Sequence, residues 1–218
     1  MCGTFRAMAP ALPTFRYTFE LVGRFVRLEP LGEHHVDDLV AAAAGDRSTF
    51  GFTWVPDGRD DTLRFVDDLL RARDAGDVVP FAQCRPDGTA VGCTRYMTLR
   101  RWRRRAEPDE VEIGGTWLAP DAQRTPINTE AKFLLLRHAF EVWGVWRVDF
   151  ETDVRNARSR AALERIGATF EGVLRHHRMA ADAPPDDPRP RDSALYAITD
   201  DDWPAVAGQL RARLADTS

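Results

Sequence analysis

A strand that runs through a polar loop into a helix occupies Glu110 to Ala131, EVEIGGTWLAPDAQRTPINTEA, and it constrains the fold more than any other stretch. Val111, Ile113 and Trp117 place apolar side chains around Gly114-Gly115 in the manner of a strand, and an apolar helical stripe begins at Ala131. The first turn of such a helix points unpaired amide N–H groups at the loop, and the macrodipole favours negative charge there. A phosphate group suits that arrangement. The loop is neither GxGxxG nor GxxxxGK[ST], so the dinucleotide and P-loop fingerprints are both absent.

The rest of the chain alternates strands and helices. Tyr17 to Leu28 reads as one or two short strands about Gly23. A helix through Val36, Leu39, Val40 and Ala43 stops near Gly45, an aromatic loop spans Phe50 to Pro56, and a second helix extends from Asp61 to Ala75. Val78 to Cys84 and Ala90 to Leu99 flank Pro86-Asp87-Gly88-Thr89 as a hairpin. Beyond the 110–118 strand, the pattern predicts a helix from Asn128 to Trp143, a strand from Val145 to Thr152 and a helix from Asn156 to Ile166. Two strands, Ala168 to Arg178 and Ser193 to Thr199, enclose a proline-rich loop, and Asp200 to Leu214 is a terminal helix. Hairpins force antiparallel pairs and helical crossovers permit parallel ones, so the fold class is α/β with a mixed sheet. Residues 1–16 show no period and read as a flexible arm, and no linker divides residues 17–218, expected to form a single domain.

Composition narrows the function. With 30 Lys+Arg against 34 Asp+Glu the net charge is −4, which argues against nucleic acid as a partner. The run Arg100 to Arg105 reads as a solvated loop offset by Glu107, Asp109 and Glu110. No apolar run is long enough to span a bilayer, and residues 1–20 lack a signal-peptide core. Cys2, Cys84 and Cys93 are an odd number without CxxC spacing, pointing to a reducing compartment, with the cytoplasm as the default. No metal site is expected: His34-His35 and His176-His177 are adjacent pairs, and neighbours on a strand face opposite ways. Aromatic residues at Phe50 to Trp54, Trp102 and Trp203 make a homo-oligomer an expectation.

A second motif follows in Asp153 to Ala168, where Asn156 suits an N-cap, Ser159 the N3 position and Gly167 the C′ position of a short helix. The pairing of EIGGTWL and QRTPINTEA with FETDVRNARSRAALERIGA resembles the GNAT acyl-CoA N-acyltransferase superfamily in its RimJ/RimL-like branch, and a mycobacterial subgroup that uses succinyl-CoA. VGRFVRLEPLGEHHVDDL resembles the branch's first strand and helix, and RDSALYAITDDDWP its last strand and tail. The resemblance implies a GNAT fold: a mixed sheet of about seven strands, splayed between the fourth and fifth and flanked by helices.

It also implies a site. The pyrophosphate of an acyl-CoA (acetyl-CoA or succinyl-CoA, as cosubstrate) would rest on Gln123, Arg124, Thr125, Asn128 and Thr129. Thr116, Trp117 and Leu118 would pair with the pantetheine arm, Asn156 and Ser159 would approach the sulfur, and Ser159 would protonate the departing thiolate. Where the family has a glycine the loop has Pro126, which lacks an N–H and has a fixed φ, so side chains would rebuild the cradle. The family's acid tyrosine is absent, with Leu163 in that region. Glu112 and Glu151, one on each splayed strand, are candidate bases for a primary amine, on a protein N-terminus or a small molecule, attacking the thioester. Both also read as solvent-facing strand carboxylates. One of Arg100 to Arg105 is a candidate for meeting a carboxylate on the acyl group or acceptor, and one of His176 and His177 for lining the acceptor cleft. The alternative function is a CoA-binding regulatory or scaffold protein with little turnover.

Overall fold

The computed structural model describes residues 18–103, 105–184 and 186–217, so the arm at residues 1–16 and Arg104 of the arginine run lie outside the described residues. Eight strands form one sheet: β1 (Leu21–Val22), β2 (Arg27–Pro30), β3 (Val79–Cys84), β4 (Ala90–Arg100), β5 (Glu110–Leu118), β6 (Arg147–Asp153), β7 (Thr169–Met179) and β8 (Pro190–Thr199). Their spatial order is β1-β2-β3-β4-β5-β6-β8-β7, and only β5 and β6 pair in parallel. Five α-helices flank the sheet: α1 (Val36–Ala43), α2 (Gly58–Ala75), α3 (Pro126–Arg137), α4 (Ala157–Arg165) and α5 (Trp203–Ala215). This is the GNAT architecture with one strand more than expected. Residues before Leu28 turn at Gly23 into two strands, which moves the splay to β5 and β6.

Local chemistry explains the ends of the elements. Gly76 (φ 84°) and Gly167 (φ 92°) take up left-handed backbone where α2 and α4 stop. The helix expected from Asn128 to Trp143 is α-helical only as far as Arg137, then widens into a π-helical turn over His138–Trp143. The Tyr96 hydroxyl donates to the Leu135 carbonyl at 2.5 Å just before this turn, and its ring packs 4.6 Å from that of Trp143.

Two buried polar side chains fasten the sheet to itself and to α3. Gln83 donates its carboxamide to the carbonyls of Cys93 (3.0 Å) and Trp117 (3.3 Å), tying β3 to β4 and β5. Glu130 of α3 accepts the backbone N–H groups of Arg24 (2.8 Å), Phe25 (2.5 Å) and Val26 (2.9 Å), gripping the β1–β2 turn. Gly23 is required there, because a Cβ would lie 2.3 Å from the Glu130 carboxylate. Of the aromatics expected at the surface, Trp54 and Trp102 are exposed, but Phe50 and Trp203 are buried, Trp203 against Phe140 at 5.3 Å. No described helix is long and apolar enough to cross a membrane.

Replacing Glu130 with Ala would strand three backbone donors and should destabilise the protein by on the order of 3 kcal/mol. Urea unfolding at unchanged m-value measures this, and a loss below about 1 kcal/mol would show that the turn holds itself.

Candidate active site

The parallel pairing of β5 and β6 is short: Glu110 with Arg147, Val111 with Val148 and Glu112 with Asp149. Beyond Asp149, β6 keeps its pairing to β8 and β5 keeps its pairing to β4, so the two strands part with both outer ladders intact. A bulge sharpens the parting. Cys93 faces Trp117 and Arg95 faces Gly114, which leaves Gly115 and Thr116 of β5 opposite Thr94 alone. Gly115 takes φ 56°, and Thr116 Oγ1 sits 2.8 Å from Thr94 Oγ1.

On one side of the splay, a cavity of about 410 Å³ is lined by Thr116, Trp117, Leu118, Gln123, Arg124, Thr125, Asn128, Thr129, Asn156 and Ser159. Phe50, Thr53, Arg158, Ala161, Ala162 and Arg165 complete it. The sequence motifs did not single out these six, although Arg158 and Arg165 lie on the helix of the second motif. Thr125 is the N-cap of α3, its hydroxyl accepting the Ile127 N–H at 3.4 Å, and Pro126 fills the first helical position. There its missing N–H is one the helix would not have used, and its φ is the helical one. The left-handed residue of the loop is instead Arg124, at φ 61°. The N–H of Asn128 is in the first turn, where the helix supplies no acceptor, whereas that of Thr129 closes the first helical bond onto the Thr125 carbonyl. Gln123 is a clamp rather than a free donor: its amide N donates to Leu118 O (2.9 Å) and Thr49 Oγ1 (3.2 Å), and its amide O accepts from Arg158 Nη1 (3.0 Å). Asn156 caps α4 by accepting the Ser159 N–H at 3.0 Å, while no described group bonds the Ser159 hydroxyl.

On the other side lies a second cavity of about 420 Å³, which contains both candidate carboxylates and shares Thr53, Thr116, Trp117, Asn128, Ser159 and Ala162 with the first. Glu112 and Glu151 are not free surface groups. Arg178 of β7 donates Nη2 to Glu112 Oε2 (2.8 Å) and Nε to Glu151 Oε2 (2.6 Å), bridging the parted strands. Glu112 also accepts the Thr98 hydroxyl at 2.9 Å and is 5% exposed. Burial raises its carboxyl pKa despite Arg178. Neither His176 nor His177 lines this cavity, although His177 Nδ1 reaches Glu151 from behind at 3.3 Å. The run from Arg100 is also elsewhere. Fully buried Asp109 collects the backbone N–H groups of Trp102 and Arg103 and the side chains of Arg103 and Arg105, while Arg100 pairs with Glu110. Burial would raise the Asp109 carboxyl, but these donors outweigh it and hold it below the ordinary range.

Lys132, the chain's single lysine, carries no role in the sequence analysis. It is buried, lines the second cavity and donates Nζ to Thr116 Oγ1 at 2.7 Å. Burial lowers its pKa to about 7. The argument against His34-His35 as a chelating pair also changes, because both belong to a 3-10 turn (Glu33–His35) rather than a strand, and Glu29 joins them. His35 Nδ1 accepts the Gly32 N–H at 3.2 Å, which leaves the ring proton on Nε2, facing Glu29 at 3.5 Å. That tautomer makes an ordinary contact to a carboxylate and offers no second lone pair.

Because the folded-state pKa of Lys132 lies below its unfolded value, the unfolded chain binds more protons between about pH 7 and 10.5, and this group's penalty fades as pH rises through that window. Lys132→Met should therefore be more stable than the parent at pH 7, with an advantage that shrinks by roughly 1 kcal/mol per pH unit towards pH 10. Chemical denaturation across that range tests it, and parallel stability curves would refute a neutralised lysine.

Comparison with known proteins agrees with this geometry. The Acetyltransferase (GNAT) domain family matches residues 26–169. A GCN5-related N-acetyltransferase from Brucella melitensis is 32% identical with a TM-score of 0.77, over 91% of this chain and 86% of that one. A GNAT-family protein from Chromobacterium violaceum is 28% identical with a TM-score of 0.70, over 93% and 100%. Mycobacterium smegmatis RimJ, solved with CoA-disulfide, shares the fold at 23% identity with a TM-score of 0.73, over 92% and 96%. No curated protein is significantly similar in sequence. The family match over most of the chain and the similarity to the Brucella enzyme together show that this chain belongs to the GNAT acetyltransferases, enzymes that use an acyl-CoA as cosubstrate and an amine as acceptor.

Proposed function

We propose that the protein is an N-acyltransferase of the RimJ/RimL-like branch, working in the cytoplasm as one domain over residues 17–218. It transfers an acetyl or succinyl group from CoA to a primary amine, on a protein N-terminus or a small molecule. The observation that carries this reading is the meeting of two cavities at Thr116, Asn128 and Ser159, where the sheet opens. One cavity has the phosphate chemistry of a helix N-terminus and the other has buried carboxylates. A thioester lying through the junction has its CoA on the first side and its carbonyl facing the second.

In this reading the pyrophosphate takes the amide of Asn128 and the side chains of Arg124 and Thr129, with Arg158 and Arg165 adding positive charge, while the Thr125 hydroxyl is spent on Ala122 O and the Ile127 N–H. Pantetheine runs along Thr116 to Leu118, where β5 has no partner strand on the β6 side, and offers its amides to that free edge. Asn156 holds the start of α4 beside the thioester. Lys132 and Thr94 fix the Thr116 hydroxyl and so the shape of the bulge.

The acceptor amine enters from the second cavity and attacks the thioester carbonyl. Glu112 is the base: its Oε2 is committed to Arg178 and Thr98, while Oε1 lies near Gly114, 3.0 Å from where a Cβ there would stand. A raised carboxyl pKa makes it a better proton acceptor than an exposed glutamate. Glu151 holds Arg178 from the opposite strand and is a positioning residue. As the C–S bond breaks, the Ser159 hydroxyl gives its proton to the departing thiolate and is reprotonated through solvent by the proton that Glu112 took from the amine. Any self-association would use Trp54 or Trp102, the members of the expected aromatic set that remain exposed.

Calorimetric titration with CoA, acetyl-CoA and succinyl-CoA tests the binding half, and absence of binding by all three would overturn the reading. Ser159→Ala tests the chemical half. It should lower kcat by roughly 100-fold with little change in acyl-CoA affinity. A protein that binds acyl-CoA but turns over no amine, and is indifferent to Ser159→Ala, would be the CoA-binding scaffold instead.

A further inference from the structure

Two guanidinium groups of the second cavity bond no carboxylate among the described residues. Three guanidiniums line it, on Arg95, Arg178 and Arg191, with the Lys132 amine and three carboxylates, Glu112, Glu151 and Asp153. Arg178 takes Glu112 and Glu151 for itself. Arg95, on β4 behind the bulge, is half-buried and has no hydrogen bond or ion pair among the described residues. It fills the space left by the absent side chain of Gly115, where a Cβ would lie 2.3 Å from its Nη1. Arg191 stands opposite Arg178 in the β7–β8 ladder, and its Nη1 is buried without a partner. Asp153, the nearest acid on β6, is already bound by Arg155 at 2.6 Å and 3.0 Å. Burial is the largest influence on both free guanidiniums and pushes their pKa values down, the direction expected of charges that lack counterions.

Among the described residues no carboxylate bonds either guanidinium, and residues 1–17 with Arg104, Pro185 and Ser218 include no Asp or Glu side chain. A buried, unpaired guanidinium is costly unless something pairs with it, and its planar fork matches a carboxylate in bidentate fashion. With Arg178 held by Glu112 and Glu151, and Asp153 held by Arg155, the two unbonded guanidiniums are the part of the lining left for a reactant's anion. The surrounding Phe52, Trp54, Met97 and Met179 suit the carbon skeleton of a small reactant.

We propose that Arg95 and Arg191 bind one carboxylate of a reactant in the acyl transfer, carried either by the acceptor amine or by the far end of a dicarboxylic acyl chain. This rests on reading the second cavity as the acceptor side of the site, and it names the substrate class that side takes. The cluster from Arg100, considered for this role from the sequence, is held by Asp109 and Glu110 and lines neither of the two cavities.

The experiment measures CoA release by the full-length protein with matched reactants. Acetyl-CoA is paired with amino acids and with the corresponding amino acid amides, and succinyl-CoA is compared with acetyl-CoA on amines that lack a carboxylate. Calorimetry with CoA runs alongside on every variant. In one arm the carboxylate-bearing member should be favoured by at least about 100-fold in kcat/KM. A preference among acceptors assigns the carboxylate to the amine, and a preference between donors assigns it to the acyl group. In the Arg95→Met, Arg191→Met double variant that ratio should collapse to within about threefold, while CoA binding shows that the protein is folded. No preference in either arm, or one that survives the double variant, would overturn the proposal with the acyltransferase reading intact. Failure of the parent protein to bind CoA would instead overturn that reading, and this proposal with it.

Discussion

Everything distinctive about this molecule depends on a parallel ladder that stops after Glu112–Asp149. A sheet normally satisfies its backbone groups by continuing its ladders, so a gap between two central strands has to be held open by something else. Here the outer ladders do it. β6 is zipped to β8 from Arg147 to Asp153, and β5 is drawn towards β4 by the bulge at Gly115 and Thr116. Gly92 lets β4 and β5 approach closely, since a Cβ there would lie 2.1 Å from the Trp117 carbonyl oxygen. The unpaired edge of β5 beyond the bulge is thus a product of packing on the far side of each strand, and it is available to an extended ligand.

The same gap explains why charged groups collect at its floor. Glu112 stands on the last paired rung and Glu151 lies two residues beyond it on β6, and Arg178 reaches both from β7 with charge-assisted bonds where the backbone ladder ends. Removing either carboxylate would therefore change the position of Arg178 as well as any proton transfer, which is why donor geometry separates the two acids better than their charge does. Lys132 works in the opposite sense. Its head group is desolvated with only a hydroxyl for company among the described residues, and that arrangement holds the bulge while lowering its pKa to about 7, so its charge is only about half present near neutral pH.

Much of this was legible in the chain. The strand–loop–helix at Glu110 to Ala131 and the capped helix after Asp153 announce themselves through period and capping, and the groove residues follow because both motifs deliver them to one place. What could not be read were the arginines of the second cavity. Arg95, Arg178 and Arg191 sit on three strands that alternate polar and apolar side chains like any others, and their convergence depends on bulges and register shifts at Cys93/Arg95 and Leu174/Arg178. The arginine run was legible as a loop offset by Asp109 and Glu110, and the role considered for one of its arginines at a reactant carboxylate fails for the described ones because Asp109 is buried among them, a tertiary fact. Trp203 repeats the lesson, since an aromatic at a helix start looks exposed until Phe133 and Phe140 close over it.

Pro126 shows how a departure from a familiar loop can be absorbed. Read alone, a proline in place of glycine removes a donor and forbids a conformation. In the fold it sits at the first position of α3, where an amide N–H has no helical acceptor and a φ near −65° is wanted. The left-handed turn that glycine would have supplied falls instead on Arg124, at a cost of about 1–2 kcal/mol for a residue with a side chain. The Thr125 cap and the Gln123–Arg158 clamp provide the opposing restraint, tying the loop to Ala122, to the start of α3 and to α4. The strain places a guanidinium at the mouth of the phosphate-like site, adding a charge that a glycine loop would lack. The substitution therefore exchanges one backbone donor for a side-chain cation and leaves the amide of Asn128 where the helix puts it.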